Sequence, residues 1–359
     1  MQQALPEQEL CPLCCAVWLG VCPPFFSPSI RPLLPESFDL AVVLPYRNAH
    51  RWLAETLLAL VSAAQNLRWQ LIAVDDGSTD SGGHLLRRLT AQWPAQQCIL
   101  LRTPGIGVAA ARNIAFRTTQ APIIALLDAD DVALPRRLQA PLQRLRAEPH
   151  LSHVHGGWLR VSPSGQTLST VEPWRDGAGF DLRSALTHKA VLPSAWTLRR
   201  DAFLAVGGFD ESLSHAEDVD LLLRLAAAGH RGSWLNEPLV RYRVHPAAAS
   251  AHTSAVIDGL ASVVERHLID QPQPWADEIF YGTLTWGAWR AWCSGDQSLA
   301  LQTLKRARLR CPLPLVRRPV HFLEHISRSC RRDGIGFDHA RFCASPFWHQ
   351  ARDLLLQPL

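Results

Sequence analysis

Lysine is almost missing from this chain: Lys189 and Lys305 are its only two, among 36 basic residues. Its positive charge is therefore nearly all guanidinium, a planar donor fork suited to phosphate and carboxylate. Charge is scarce overall, at 19% of residues with a net +4 and a sequence pI near 8.7. A nucleic-acid-binding domain is expected to be strongly basic with its charge clustered, and this balance is too mild for that, so no nucleic-acid partner is expected. A disulfide framework is lacking as well. The nine cysteines are an odd number in a long chain, which argues for a reducing compartment.

Long unbroken apolar runs are also absent. Leu10 to Phe26 comes nearest, but Glu7 and Glu9 precede it and Pro12, Pro23 and Pro24 interrupt it. A signal peptide needs a basic flank, and a spanning helix needs about 20 consecutive apolar residues. The expected location is cytoplasmic, with peripheral contact at the inner face of a membrane as a variant. Cys11-Pro12-Leu13-Cys14 has the spacing of half a zinc ribbon, and no second CxxC completes it. Residues 1–37 are thus read as a poorly ordered extension.

What is present, at 47% hydrophobic residues over 359, is enough for a real core. Leu40 to Leu44 reads as a buried strand stopped by Pro45. Leu53, Leu57, Leu60, Val61 and Ala64 then fall on one helix face. Further strands are expected at Gln70–Val74, Cys98–Leu101 and Ile123–Leu127, with helices near 85–93 and 108–116 between them. Repeats of this kind predict an α/β fold, a parallel sheet with helices on its faces. After Asp131 come a helix through Leu138, Leu142 and Leu145, then a strand near 153–161 with a hairpin turn at Pro163-Ser164-Gly165. A helix opens at Glu217-Asp218 and stops at Gly229. Past a boundary near Ala251, the chain reads all-helical from about Ala255, with Trp286, Trp289 and Trp292 along one flank.

Chemistry concentrates where strands end. Asp128-Ala129-Asp130-Asp131 closes the apolar run 123–127, and three carboxylates together repel one another unless a cation neutralises them. Oxygen ligands without Cys point to Mg²⁺ or Mn²⁺, although a solvated turn capping a helix near Pro135 has the same composition. Asp75-Asp76-Gly77-Ser78 ends the second strand, and carboxylates there can meet a nucleoside or form an Asx-type turn. Gly105-Ile106-Gly107 before a helix, with Asp128 about 20 residues on, outlines a dinucleotide fingerprint. It makes an NAD-dependent oxidoreductase the rival reading. The fingerprint belongs after the first strand rather than the third, and one carboxylate should follow it rather than three. Glu217-Asp218 complements a helix dipole, and the same position keeps a carboxylate ionised.

Taken in order, Pro45-Tyr46-Arg47-Asn48, Asp75-Asp76-Gly77-Ser78-Thr79-Asp80, Ala111-Arg112-Asn113, Asp128-Ala129-Asp130-Asp131, Gly207-Gly208-Phe209-Asp210-Glu211, Glu217-Asp218 and Tyr242-Arg243-Val244-His245 form a set. The set resembles glycosyltransferase family 2 over roughly residues 38–250. The resemblance implies a GT-A, Rossmann-like, mostly parallel sheet with helices on both faces, followed by a C-terminal helical extension over 251–359. It also implies transfer of one sugar, with inversion, from a nucleotide-diphosphate sugar, a UDP-sugar by expectation, to a glycan or lipid-linked acceptor. By the same resemblance Pro45 and Tyr46 line the base pocket, Asp75 or Asp76 holds the nucleoside and Arg112 faces the donor. Asp128, Asp130 and His245 would bind the metal, with Asp131 close by, and Asp218 would be the general base. No Gln-x-x-Arg-Trp follows Asp218, which implies a non-processive enzyme. A sugar nucleotidyltransferase would carry a glycine-rich loop where Pro45-Tyr46-Arg47-Asn48 stands. A catalytically inactive nucleotide-sugar-binding module would be expected to have lost the base or a metal carboxylate.

Overall fold

Apolar runs with no polar interruption become strands covered on both faces. Strands β1 (Leu40–Tyr46), β2 (Trp69–Asp76) and β4 (Ile123–Leu126) are buried at every position. Between them come α1 (His50–Ala63), α2 (Gly82–Leu89), β3 (Cys98–Thr103) and α3 (Val108–Thr118). These belong to a computed structural model that describes residues 38–358. The amino-terminal extension, its Cys11/Cys14 pair and the apolar run 10–26 lie outside the described residues.

β3, β2, β1 and β4 lie side by side in parallel. Pro45 does not end the first strand, which runs on to Tyr46. The Leu127 N–H donates to Val43 O, so by alternation Pro45 turns its nitrogen toward the same neighbour, and pairing with β4 has ended at Val43. No ladder bond is lost there. The carboxyl ends line up: Tyr46 pairs with Asp75 and Asp76 with Thr103. In open α/β sheets ligands bind along that edge.

The second half continues with β5 (Val132–Ala133), α4 (Gln139–Ala147), β6 (Leu151–Val161), β7 (Thr167–Val171), α5 (Leu182–His188), β8 (Trp196–Arg199), α6 (Arg200–Ala205), α7 (Glu217–Ala227) and β9 (Arg231–Arg243). β8 enters antiparallel between β4 and β6, and the sheet extends in the order β3-β2-β1-β4-β8-β6-β9-β5 with β7 on β6. Beyond β4, only β6 and β9 pair in parallel. The expected turn at 163–165 closes the β6–β7 hairpin, where the Ser162 N–H donates to Gln166 O at 2.8 Å.

Helices α8 (Thr253–Leu268), α9 (Trp275–Cys293), α10 (Gln297–Arg308), α11 (Arg317–Arg332), α12 (His339–Cys343) and α13 (Pro346–Leu355) follow. One hydrophobic core joins Val43 and Ile72 of the sheet and Phe116 of α3 to Leu260, Val264, Tyr281 and Leu284 of α8 and α9. The opposite face packs α1 and α4 through Leu53, Leu60 and Leu142. On α9, Trp289 and Trp292 stack at 5.0 Å, whereas Trp286 lies under the Arg290 guanidinium. No helix among the described residues is long and apolar enough to cross a membrane.

Candidate active site

Asp128 leaves β4 with its N–H donating to Ser194 Oγ at 3.0 Å. Ser194 is in turn held by Arg137, a fully buried side chain whose guanidinium donates to the carbonyls of Leu126, Ser194 and Trp196 and to Thr197 Oγ1. Burial without a carboxylate partner pushes the Arg137 pKa down to about 9. Thr56 Oγ1 pins the acidic loop to α1 by donating to Ala129 O at 3.0 Å and Asp131 O at 2.8 Å. Asp131 is fully buried and accepts the Arg243 N–H at 3.0 Å. Its burial, then the charges of Asp130 and Asp128, raise its pKa well above the usual carboxylate range.

Asp128 and Asp130 keep 28% and 31% of their side-chain surface exposed, so both reach the cleft. Asp130 Oδ2 lies 3.0 Å from His245 Nε2, and burial with Asp128 alongside raises the Asp130 pKa. Like-charge repulsion of this sort favours either a proton or a cation. Two carboxylates and an imidazole fit a divalent ion such as Mg²⁺ or Mn²⁺ in donor chemistry. Among the described residues, however, no three His, Cys, Asp or Glu side chains already converge tightly enough to cage one.

Arg112 links the acidic loop to α7. Its guanidinium donates to Asp128 Oδ1 and to Glu217 Oε1, each at 2.7 Å, and the side chain is buried. Burial alone would lower its pKa, but Asp128 and Glu217 outweigh that and hold it up. Arg112 thus meets two protein carboxylates at the cleft. Next to it, Asn113 accepts the Phe209 N–H at 2.9 Å and donates to Phe209 O and Glu211 Oε1. A Cβ on Gly208 would sit 2.7 Å from Asn113 Oδ1, whereas Gly207 faces open space. Of the two glycines, only Gly207 leaves room beside its backbone.

Asp218, on the first turn of α7, is half-buried and accepts the Val219 N–H at 2.8 Å. Burial, followed by the Glu217 charge, raises its pKa to about 7. Two residues on, Asp220 is buried against Arg224 of the same helix at 2.7 Å and His267 of α8 at 3.2 Å. The helical extension therefore holds the helix that carries Asp218. It also holds the segment after His245, because Arg290 of α9 donates to Ser250 O and Ser250 Oγ meets the Tyr242 hydroxyl.

On the other side of the cleft, Asn48 Oδ1 accepts the N–H of Thr79 and of Asp80, and the Asn48 N–H donates to Ser78 Oγ. Asp75 accepts the Ser78 N–H at 2.7 Å and faces Arg102 at 3.4 Å. Tyr46, buried beside it, has its pKa raised to about 12 by burial and then by Asp75. Asp76 is fully engaged by the next loop: it accepts from Thr103 Oγ1 at 2.6 Å, the Ile106 N–H at 2.7 Å and the Gly107 N–H at 2.9 Å. Gly105 and Gly107 therefore present their loop to a protein carboxylate, and the N–H groups a dinucleotide pyrophosphate would need are already donating.

Of the expected site residues, Pro45, Tyr46, Asp75 and Asp76 end β1 and β2, Arg112 joins Asp128 to Glu217 beside Asp218, and Asp130 meets His245. Several residues that hold the site together gave no sequence signal: Thr56, Arg137 and Ser194 have ordinary neighbours. Asn48 stood inside a quoted motif, and its φ of +52° is a turn geometry that asparagine tolerates.

Residues 41–203 match the sequence model described as Glycosyl transferase family 2. The chain is 26% identical to the putative glycosyltransferase EpsE of Bacillus subtilis over 207 residues, 57% of this chain and 72% of that protein. It is 31% identical to the pre-mycofactocin glycosyltransferase of Mycobacterium tuberculosis over 228 residues, 61% of this chain but only 43% of that one. S. aureus TarS 1–349, solved with UDP-GlcNAc, superposes with a TM-score of 0.58 at 15% identity over 84% of this chain and 93% of that one. Mannosyltransferase PcManGT from Pyrobaculum calidifontis, solved with GDP-Man and Mn²⁺, gives 0.57 at 17% identity over 90% and 86%. The fold is GT-A, and residues 41–203 form a glycosyltransferase family 2 domain.

Proposed function

We propose that the chain transfers a single sugar, with inversion, from a nucleotide-diphosphate donor to an acceptor hydroxyl on a glycan or lipid-linked molecule. The observation that carries this reading is the Arg112 bridge. One buried guanidinium ties the acidic strand end at Asp128 to Glu217, the residue before Asp218. This bridge supports a base at Asp218 close to a set of metal-binding carboxylates at Asp128 and Asp130.

In this reading Asp218 accepts the proton of the acceptor hydroxyl while its oxygen attacks the anomeric carbon. The new C–O bond forms on the face opposite the departing diphosphate, and the old anomeric C–O bond breaks with its electrons going to that leaving group. A side chain titrating near 7 suits a base working at neutral pH. Asp128, Asp130 and His245 would hold a divalent ion, which when bound neutralises charge on the diphosphate. Arg112 positions Asp128, and Pro45, Tyr46 and Asp75 bound the nucleoside side. Asp76 acts there by shaping the 103–107 loop. A UDP-sugar is the expected donor, supported by the resemblance and by the UDP-GlcNAc held in TarS.

Calorimetry across UDP-, GDP- and TDP-sugars, with and without Mn²⁺, tests the reading. Metal-dependent binding of one nucleotide sugar is expected. Stabilisation by NAD with no nucleotide sugar bound would transfer the case to an oxidoreductase.

A further inference from the structure

A second cavity, of about 520 Å³, lies between β7, the turn Pro173–Asp176 and the carboxyl end of α11. Its size falls in the range of about 300–1,000 Å³ usual for small-molecule sites. Thr170, Glu172, Arg175, Asp176, Arg331 and Arg332 face it. Arg175 pairs with Glu172 at 2.7 Å and Arg332 with Asp333 at 2.9 Å. Two groups are left over. Asp176 Oδ2 is buried with no hydrogen-bond partner, and the exposed Arg331 guanidinium has no ion pair or hydrogen bond among the described residues.

The cavity is close to the cleft. Ser169, beside Thr170, pairs with Arg160, and Arg160 pairs with Tyr242. Two strand spacings, about 10 Å, therefore separate β7 from the strand that leads to His245 three residues later.

The lining decides the ligand chemistry. An acceptor-only carboxylate and a donor-only guanidinium lining one cavity match a hydroxyl, which donates and accepts at once. A free anion would meet the guanidinium groups but also Glu172 and Asp176, two like charges, on the same wall. We infer that this cavity binds a neutral sugar unit of the acceptor, away from the hydroxyl that reacts. The inference rests on the sugar-transfer reading for its meaning, and its test is separable from it.

The probes are methyl glycosides of glucose, galactose, mannose and N-acetylglucosamine at millimolar concentration, with inorganic phosphate as the anionic comparison. Binding to the full chain is followed by saturation-transfer NMR, and nucleotide-sugar affinity is measured on the same samples. At least one glycoside is expected to bind, and to weaken about ten-fold or more in both Asp176→Asn and Arg331→Ala, with donor affinity unchanged. Arg331 is exposed, so its variant folds even where Asp176→Asn does not. Retained glycoside binding in both variants, binding of phosphate alone, or no glycoside binding would each overturn the assignment. Loss of donor binding in the wild type would instead strike the transferase reading and leave the cavity's result standing.

Discussion

Asp218 offers the sharpest test, because its position and its environment make opposite demands. Burial and the Glu217 charge raise its pKa to about 7, so near pH 7 about half the free enzyme has an ionised base. At pH 8 roughly nine-tenths is ionised and at pH 6 roughly one-tenth. Since kcat/KM reports the free enzyme, it should fall about ten-fold between pH 8 and pH 6, with its acidic limb near 7. Replacing the base by Asp218→Asn should remove that limb and reduce the rate by about 10²–10⁴, equivalent to about 2.7–5.5 kcal/mol of barrier. Stability should move the other way. A carboxyl group whose folded pKa lies above its unfolded value stabilises the fold below about pH 4, and that contribution is lost as the pH rises toward 7. At pH 8 the ionised side chain is thus a cost, and Asn keeps the oxygen that accepts the Val219 N–H. The variant should be at least as stable as the wild type at pH 8. Hydrolysis of a bound nucleotide sugar, or transfer once an acceptor is known, supplies the rate, and urea denaturation supplies the stability. A flat kcat/KM between pH 6 and 8, or an Asp218→Asn enzyme within ten-fold of wild type, would remove Asp218 from the mechanism.

Three other outcomes follow from the same geometry. Arg112→Gln leaves Asp128 and Glu217 without their shared cation, and breaking a buried pair in this way costs about 3–5 kcal/mol. It should also move the acidic limb of kcat/KM to higher pH, because Arg112 is among the charges that lower the Asp218 pKa; an unshifted limb would mean that the bridge acts on stability alone. Asp130→Ala should abolish the Mn²⁺ dependence of donor binding, and equal affinities with and without EDTA in wild type and variant would refute the metal assignment. In Gly77→Ala the new Cβ would stand 2.8 Å from Gly105 N at a φ of +76°. A loss of about 1–3 kcal/mol in denaturation, with weaker donor binding, is expected, and wild-type stability would show that the two loops can part freely.

Much of this protein is written in local pattern. Val42, Val43, Ile72 and Ile124 lie in strands because continuous apolar runs need cover on both faces. Carboxylates at the ends of such runs point to a polar strand edge, where Asp128 and Asp130 stay partly exposed while Asp75 is buried against Ser78. The rest was decided by partners distant in sequence. Pro45 reads as a strand terminator until the pairing shows its nitrogen on a side where no bond is made. Asp75 and Asp76 are indistinguishable as letters, and only the approach of Thr103, Ile106 and Gly107 engages one of them. Arg137 looks like a surface residue of an Arg-rich helix, yet it is the buried clamp beneath Ser194. The helices after Ala251 read as an extension, yet Leu260, Val264 and Tyr281 share a core with the sheet, and His267 and Arg290 brace both sides of the site. The physical reason is range. Periodicity and composition report which surface a residue needs, whereas a hydrogen bond or ion pair depends on which group the folded chain brings to within about 3 Å.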